Sequence, residues 1–235
     1  THEMRGRFAA RFGAELAGQM TFRTINGLSA VILQYYSRVY GRRQPELLTN
    51  EGDITRMLTD IWQQVNREFP TESTLKELRT AITYIKNMAL ADEEIEGLET
   101  DLANLPELYR RYQAALKRAG QMDYDDQMVF ALQILRAAPP VLAYFQQRYK
   151  YFCVDESQDT SKIQHAILRL LAGQNGNLFL VGDEDQSIYG FRAAWPEALL
   201  QFPQTYPGAK LLFMEENYRS TPQILQAANA FIAKN

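Results

Sequence analysis

Residues 150–159 read Lys-Tyr-Phe-Cys-Val-Asp-Glu-Ser-Gln-Asp, a short apolar run that ends in two adjacent carboxylates, Asp155 and Glu156. This pattern is typical of a buried parallel strand that carries acidic residues into a crevice. In open α/β sheets, ligands bind at that edge. An Asp there can hold Mg²⁺ on a nucleotide, and a neighbouring Glu can orient or deprotonate a water. Taken alone, such a stretch more often marks only a strand that leads into an acidic turn.

Two further apolar runs repeat the pattern. Residues 177–181 (Asn-Leu-Phe-Leu-Val) precede a polar cluster at 182–192, and residues 209–214 precede a second polar cluster at 215–221. The segments between these runs have helical spacing. The alternation of strand and helix predicts a parallel sheet that displays its polar side chains along one edge.

Three of these segments resemble motifs of the superfamily 1 DNA helicases of the UvrD/Rep/PcrA type. Residues 154–160 (Val-Asp-Glu-Ser-Gln-Asp-Thr) look like motif II, residues 182–192 like motif III, and residues 216–221 (Glu-Asn-Tyr-Arg-Ser-Thr) like motif IV. Their order and spacing agree with that family, and the resemblance is dense in the C-terminal half and fainter at the N-terminus. It implies an α/β fold, a RecA-like parallel sheet with flanking helices of the P-loop NTPase type.

The same resemblance extends to the N-terminal region. Residues 21–24 (Thr-Phe-Arg-Thr) are similar to motif Ib, which implies that Thr21, Phe22 and Arg23 contact DNA. Arg23 stands where family members usually carry His. A strand-to-helix turn is the alternative interpretation of this segment.

Two parts of such a helicase are absent from these residues: the phosphate-binding loop Gly-x-x-x-x-Gly-Lys-Ser/Thr, and motifs V and VI of the second motor domain. We therefore expect a fragment of a larger protein that is inactive by itself. The resemblance divides it into a partial, incomplete RecA-like motor domain, residues 1–36 and 121–235, and a mainly helical inserted subdomain, residues 37–120.

Apolar residues at helical spacing support the helical interpretation of the insert. One such face comprises Ile54, Met57, Leu58, Ile61, Trp62, Val65 and Phe69. We expect Trp62 in the core rather than stacked on a base, and Asp123 or Tyr124 as the cap of the helix that follows. Thr221 and Pro222 predict the start of a last helix. Its expected buried face comprises Ile224, Leu225, Ala228, Phe231 and Ile232.

The resemblance implies a role for each matching residue of the nucleotide site. Asp155 would coordinate Mg²⁺, Glu156 would activate the water that attacks ATP, and Gln186 would sense the γ-phosphate. Tyr218 would stack on the adenine, and Arg219 would reach the γ-phosphate as an arginine finger, a task that suits its permanent charge and planar fork.

A second set of residues is implied in DNA binding, namely Tyr189, Phe191 and Arg192. In an extended chain Tyr189 and Phe191 project to the same side. The resemblance implies that Phe191 stacks on a single-stranded base, an interaction that tolerates any sequence. Core packing is the alternative for Phe191.

The composition is ordinary for a soluble globular protein, with 46% hydrophobic and 23% charged residues among 235. The net charge of −3 does not indicate a nucleic-acid binder, although residues 4–43 hold seven Arg and one acidic residue. That run suits phosphate contacts, and a solvated helix face is the commoner interpretation. The single cysteine, Cys153, excludes an intrachain disulfide, and we expect it in the core. Without a transmembrane-length stretch or a signal peptide, a soluble cytoplasmic protein is expected.

The parent protein is therefore expected to be an ATP-dependent DNA helicase that uses ATP and Mg²⁺. It would couple hydrolysis to translocation on single-stranded DNA and to unwinding of duplex DNA, with 3′-to-5′ polarity implied by the resemblance alone. Its other partner would be the remainder of its own chain, with no membrane involved. Two alternatives remain: a non-catalytic module that binds DNA or a protein partner, and a fragment of a helicase–nuclease subunit of the AddA/RecB kind.

Overall fold

The computed structural model describes residues 1–173, 176–183, 186, 193–195 and 197–232. In chain order the elements are α1 (His2–Phe12), α2 (Ala14–Gln19), α3 (Ile25–Tyr40), β1 (Glu46–Leu47), α4 (Glu51–Asn66), α5 (Glu72–Asn87), α6 (Asp92–Glu96), α7 (Leu105–Ala119), β2 (Gln121–Met122), α8 (Tyr124–Ala137), α9 (Pro139–Arg148), β3 (Phe152–Val154), a 3₁₀ turn (Ser157–Asp159), α10 (Lys162–Ala172), β4 (Leu178–Leu180), α11 (Glu197–Leu200), α12 (Phe202–Thr205) and α13 (Pro222–Ile232). The described residues are thus rich in helices and form two short parallel sheets.

The first two apolar runs form a parallel pair, as predicted. In this sheet Phe152 of β3 lies opposite Leu178 of β4, and Val154 lies opposite Leu180. A second parallel pair joins β1 to β2. The connection from β3 to β4 runs through α10, as parallel strands require a crossover.

The third predicted strand, residues 209–214, is wrong for this structure. Phe213 is 80% exposed and Met214 is 87% exposed, and the run forms no strand. An apolar run becomes a strand only where another strand supplies hydrogen-bond partners, and no strand in the described ranges pairs with it. A full RecA-like sheet is therefore not formed by the described residues.

The first hydrophobic core lies among α4, α5 and α7. Its fully buried side chains include Leu58, Leu78, Ile85, Leu105, Leu108 and Leu116. Trp62 is 5% exposed in this core, which confirms its predicted structural position. Phe69 was placed wrongly, since it is 82% exposed. The reason is that α4 ends at Asn66 and Arg67 adopts a left-handed conformation with φ 60°, so the chain leaves the apolar face before Phe69.

The second hydrophobic core is built by α3, α8, α9 and α10. Its fully buried members include Ile32, Ala131, Leu135, Phe145, Ile163 and Ile167. Asp123 caps α8 as predicted, because its Oδ1 accepts the Asp126 N–H at 2.9 Å and the Asp126 carboxylate accepts the Asp123 N–H at 3.0 Å. Pro139 begins α9, and Ala138 alone separates it from the end of α8 at Ala137.

No single helix in the described ranges is long and apolar enough to cross a membrane. Only α8 and α9 taken together meet that length and composition, and they are bent by 104° with respect to each other. Both helices contribute buried side chains to the second core.

Two further expectations about burial are corrected. Cys153 is exposed rather than in the core, since the face of the sheet that carries it and Phe179 is not covered by described residues. The last helix starts at Pro222 as predicted, but Ile224 is 59% exposed and Phe231 is 69% exposed. An apolar helix face is buried only where a second element packs on it.

A buried ionic cluster joins the two cores. Lys86 of α5 is 2% exposed, and its Nζ lies 2.6 Å from Asp123 Oδ2 and 2.7 Å from Asp126 Oδ1 at the start of α8. The Tyr112 hydroxyl donates to the same Asp123 oxygen at 3.1 Å. Burial raises the pKa of Asp126, and the charge of Lys86 acts in the opposite direction. We therefore expect the buried carboxylates of the cluster to require the positive charge of Lys86.

Lys86→Met tests this dependence, because it keeps an unbranched stem and removes the charge. Two carboxylates would lose their buried counter-charge, so we expect the free energy of unfolding to fall by about 3–5 kcal/mol in a urea titration. The matched control is Arg56→Met at the exposed pair of Arg56 and Asp53, 3.7 Å apart, where less than about 1 kcal/mol is expected. Equal free energies of unfolding for the K86M and R56M variants would contradict the role of Lys86 as the buried counter-charge.

Candidate active site at the end of strand β3

The two adjacent carboxylates lie where β3 ends. The backbone ladder continues past the strand, because the Val181 N–H donates to the Val154 carbonyl at 2.8 Å and the Ser157 N–H donates to the Val181 carbonyl at 2.9 Å. Between these bonds Glu156 adopts a left-handed conformation, φ 51° and ψ 45°. Such a conformation is uncommon for a residue with a side chain and is often found at functional sites. It turns the chain so that Asp155 and Glu156 remain exposed at the strand end.

We call residues 155–161 the strand-end turn. Within it, the buried side chain of Gln158 links two neighbours. Its Nε2 donates to Glu156 Oε2 at 2.8 Å, and its Oε1 accepts the Asp183 N–H at 3.2 Å. Asp183 in turn accepts a hydrogen bond from Gln186 Nε2 at its Oδ2, at 2.6 Å. The structure thus brings Asp155, Glu156 and Gln186 together at one end of the sheet.

Gly182 allows the end of β4 to approach this turn closely. A Cβ on Gly182 would lie 2.7 Å from Ser157 Oγ, 2.8 Å from Gln158 Oε1 and 2.9 Å from Leu199 Cδ1. These distances are shorter than van der Waals contact, so only glycine fits between the turn and α11.

The segment that follows β4 returns to the same turn at residues 193–195. The Trp195 N–H donates to the Thr160 carbonyl at 3.1 Å, and Ser161 forms an antiparallel bridge with Ala194. Segment 183–195 is therefore anchored at both ends on the strand-end turn. The predicted DNA-binding residues Tyr189, Phe191 and Arg192 belong to this segment and lie outside the described residues.

His165 of α10 supports this second anchor. Its ring meets the Trp195 indole edge-on, with the ring centroids 5.9 Å apart. Burial lowers the pKa of His165 to about 4, while a hydrogen bond with the Ser157 backbone acts in the opposite direction. His165 is consequently neutral at pH 7 and serves as a packing group beneath the turn.

The charges at the strand end suit a nucleotide-bound Mg²⁺. Among the described residues no group of three or more His, Cys, Asp or Glu is arranged to enclose a metal ion. Mg²⁺ on a nucleotide needs only one or two carboxylates, since phosphates and waters complete its shell. Asp155 is exposed, and its Oδ1 accepts the Glu156 N–H at 3.1 Å. Burial, and after it the negative charge of Glu156, raises the pKa of Asp159, which lies in the same turn. The exposed carboxylate of Asp155, with further carboxylates near it, therefore fits a nucleotide-bound Mg²⁺.

The motif IV residues are not brought to this site. Tyr218 is 90% exposed, and its hydroxyl donates to the Glu216 carboxylate, which raises the pKa of Tyr218. Asn217 Oδ1 accepts the N–H groups of Arg219 and Ser220, each at 2.9 Å, and so forms a turn before α13. Among the described residues, no hydrogen bond joins Tyr218 or Arg219 to the strand-end turn.

The three motif Ib residues lie in a separate cleft of about 440 Å³ at the N-terminal end. Thr21 and Arg23 are exposed, whereas Phe22 is half-buried with its ring centroid 5.7 Å from that of Phe8. The segment is extended and leads into α3, whose N-terminus Thr24 caps by accepting the Gly27 N–H at 3.0 Å. Its local form is a turn into a helix, and the DNA role remains a prediction.

Sequence reasoning missed the residues that hold the site in place. Gln158 bonds Glu156 and Asp183 from within the strand-end turn, whereas Gly182, His165 and Trp195 contact the turn from three other positions in the chain. A signal was available for Gln158 alone, since a long amide two residues after Glu156 can reach back across a tight turn. The other contacts depend on the parallel pairing of β3 with β4.

Comparison with known proteins matches residues 1–207 to the family described as the UvrD/REP helicase N-terminal domain. The chain is 34% identical over 239 residues to the ATP-dependent DNA helicase PcrA of Leuconostoc citreum, covering 99% of this chain and 31% of that protein. It is 34% identical over 240 residues to DNA helicase II of Escherichia coli (strain K12), covering 99% and 32%. The PcrA of Staphylococcus aureus (strain COL) is 41% identical over 157 residues, covering 66% and 22%. The chain spans about a third of the length of the first two relatives.

Gly182→Ala tests the close approach at the end of β4. The added methyl group would collide with Ser157, Gln158 and Leu199, so we expect the free energy of unfolding to fall by about 1–3 kcal/mol. Urea titration followed by circular dichroism measures it. Gly6→Ala is the control, because a Cβ added at Gly6 would have nothing within 4 Å of it. A G182A variant as stable as the G6A variant would show that the turn does not pack as described.

Proposed function

We propose an ATP-driven DNA helicase activity for the protein that carries this chain, because the chain belongs to the UvrD/REP helicase N-terminal domain family. Matched relatives are named ATP-dependent DNA helicase PcrA and DNA helicase II. In this proposal ATP hydrolysis drives translocation along single-stranded DNA, in the 3′-to-5′ direction, and unwinding of duplex DNA. The observation that carries it is a carboxylate, Glu156, held by Gln158 beside Asp155 at the end of a parallel strand.

The strand end supplies the groups that phosphoryl transfer needs. Transfer from ATP to water requires charge neutralisation and an in-line nucleophile more than covalent help. We propose that Asp155 holds Mg²⁺, which when bound neutralises charge on the β- and γ-phosphates. Glu156 accepts the proton of the attacking water. Gln186, whose amide is bonded to Asp183, turns to the γ-phosphate and returns when the phosphate leaves.

Tyr218 and Arg219 complete the proposed nucleotide site from the exposed segment before α13. The phenol ring would stack on the adenine, and the guanidinium would neutralise charge on the γ-phosphate. Because Asn217 holds only the backbone of the turn, both side chains are exposed to a ligand. The proposal requires this segment to approach the strand end when ATP is bound.

Two groups of residues are proposed to bind DNA. Thr21, Phe22 and Arg23 share their cleft with Arg5, so two cations face one opening, as phosphate contacts require. Tyr189, Phe191 and Arg192 are proposed to stack on and hold the single strand. The described residues on either side of them, Asp183 and Trp195, bond to the strand-end turn, which would connect DNA binding to the nucleotide site.

We also propose that residues 1–36 and 121–235 belong to a partial motor domain and residues 37–120 to an inserted helical subdomain. The two separate hydrophobic cores support this division. Because the 235 residues contain no phosphate-binding loop, we expect the chain by itself to hydrolyse no ATP.

A non-catalytic DNA-binding module is the second candidate. It is favoured by the cleft with Arg5 and Arg23, which needs no nucleotide to bind phosphate. Single-strand binding that falls steeply with salt, in a protein without ATP turnover, would support this candidate over the enzyme.

Glu156→Gln tests the proposed enzyme in the protein expressed from its whole open reading frame. Without a general base, DNA-stimulated ATP turnover should fall by about 10²–10⁴-fold, measured by phosphate release. ATP and DNA binding should remain, because the amide keeps the size of the side chain. Glu99→Gln, an equal change at an exposed position in the loop before α7, is the control and should keep full activity. Undiminished turnover by the E156Q variant would refute the assigned role.

A further inference from the structure

We propose that Gln158 is a positioning residue for Glu156. Its side chain fixes the orientation of the Glu156 carboxylate and ties it to Asp183, the first residue of segment 183–195. This inference rests on the proposed function of Glu156 as the group that activates water.

The two hydrogen bonds of Gln158 determine how its amide is oriented. A carboxylate only accepts and a backbone N–H only donates. The amide nitrogen must therefore face Glu156 Oε2, at 2.8 Å, and the amide oxygen must face the Asp183 N–H, at 3.2 Å. If the Gln158 amide were turned by 180°, its oxygen would face Glu156 Oε2 and its nitrogen would face the Asp183 N–H, and neither bond could form. Since Gln158 is 1% exposed, its amide is shielded from water.

Glu156 is exposed, so its side chain would otherwise rotate among several staggered conformations. Its backbone is fixed by the left-handed turn and by the bond from its N–H to Asp155 Oδ1, at 3.1 Å. The bond from Gln158 engages only Oε2. Oε1 is thereby oriented as the oxygen that takes the proton from water.

The same amide connects Glu156 with the proposed phosphate sensor. Asp183 accepts the side-chain amide of Gln186 at 2.6 Å, so the order of contacts is Glu156, Gln158, Asp183 and Gln186. A shift of Asp183 therefore displaces the partner that orients Glu156. Such a displacement of Asp183 would change the position of the base and with it the rate of hydrolysis.

Gln158→Leu in the full-length protein tests the inference. Leucine fills a similar volume and makes neither bond, so kcat for ATP should fall by about 10–100-fold, with KM for ATP changed by less than about twofold. Gln127→Leu is the control, the same substitution at another buried glutamine, 5% exposed on α8, and should leave kcat unchanged. Thermal unfolding confirms that both variants fold, and Gln158→Met replaces Gln158→Leu if the latter does not.

A double-mutant cycle separates positioning from general packing. If Gln158 acts through Glu156, adding Q158L to the E156Q variant should lower kcat by less than about twofold further. The inference is overturned if Q158L lowers the kcat of the E156Q variant by the same factor as it lowers the kcat of the unaltered protein. It is also overturned if the Q158L variant keeps full kcat. Absence of ATP turnover in the unaltered protein would overturn the proposed function and the inference with it. An active protein that E156Q disables and Q158L spares overturns only the inference.

Discussion

Parallel pairing of β3 with β4 is the constraint on which the strand-end turn depends. The pairing ends with two backbone bonds, from Val181 to Val154 and from Ser157 to Val181. Both strand ends therefore finish side by side, although 25 residues separate Gln158 from Asp183 in the sequence. Only then can a glutamine from one strand end bond the backbone of the other, and only a glycine at position 182 leaves space for that contact. A register shift would move every one of these partners.

The helical part of the chain is tied to this region by charge as well as by apolar contact. Apolar faces of α5 and α8 would pack in several registers, whereas Lys86 meets Asp123 and Asp126 in one. Burying these charges opposes folding, and their pairing offsets that penalty only when all partners are present. We infer that the cluster sets the orientation of α8, and α8 contacts α10, which lies beneath the strand-end turn.

Sequence patterns correctly predicted those features of the fold that depend on residues close to one another in the chain. Strands β3 and β4, the Asp123 cap, the start of α13 and the buried Trp62 are all found. Predictions failed where a distant partner decides the outcome. Residues 209–214 have the composition of a strand, but no strand in the described ranges lies beside them. Cys153 lies on a sheet face that no described element covers. For the site, the sequence indicated Asp155, Glu156 and Gln186, but the contacts that hold them arise only from strand pairing.

The most direct test of the central claim is amide hydrogen exchange in the folded chain, read at the N–H groups of Ser157, Asp183 and Trp195. These three amides bond across the strand-end turn to Val181, Gln158 and Thr160. If segment 183–195 is anchored at both ends, all three should exchange with one common opening free energy. Protection of Ser157 with exchange of Trp195 at the rate of an unstructured chain would contradict the account. In that case the segment would be held at one end only.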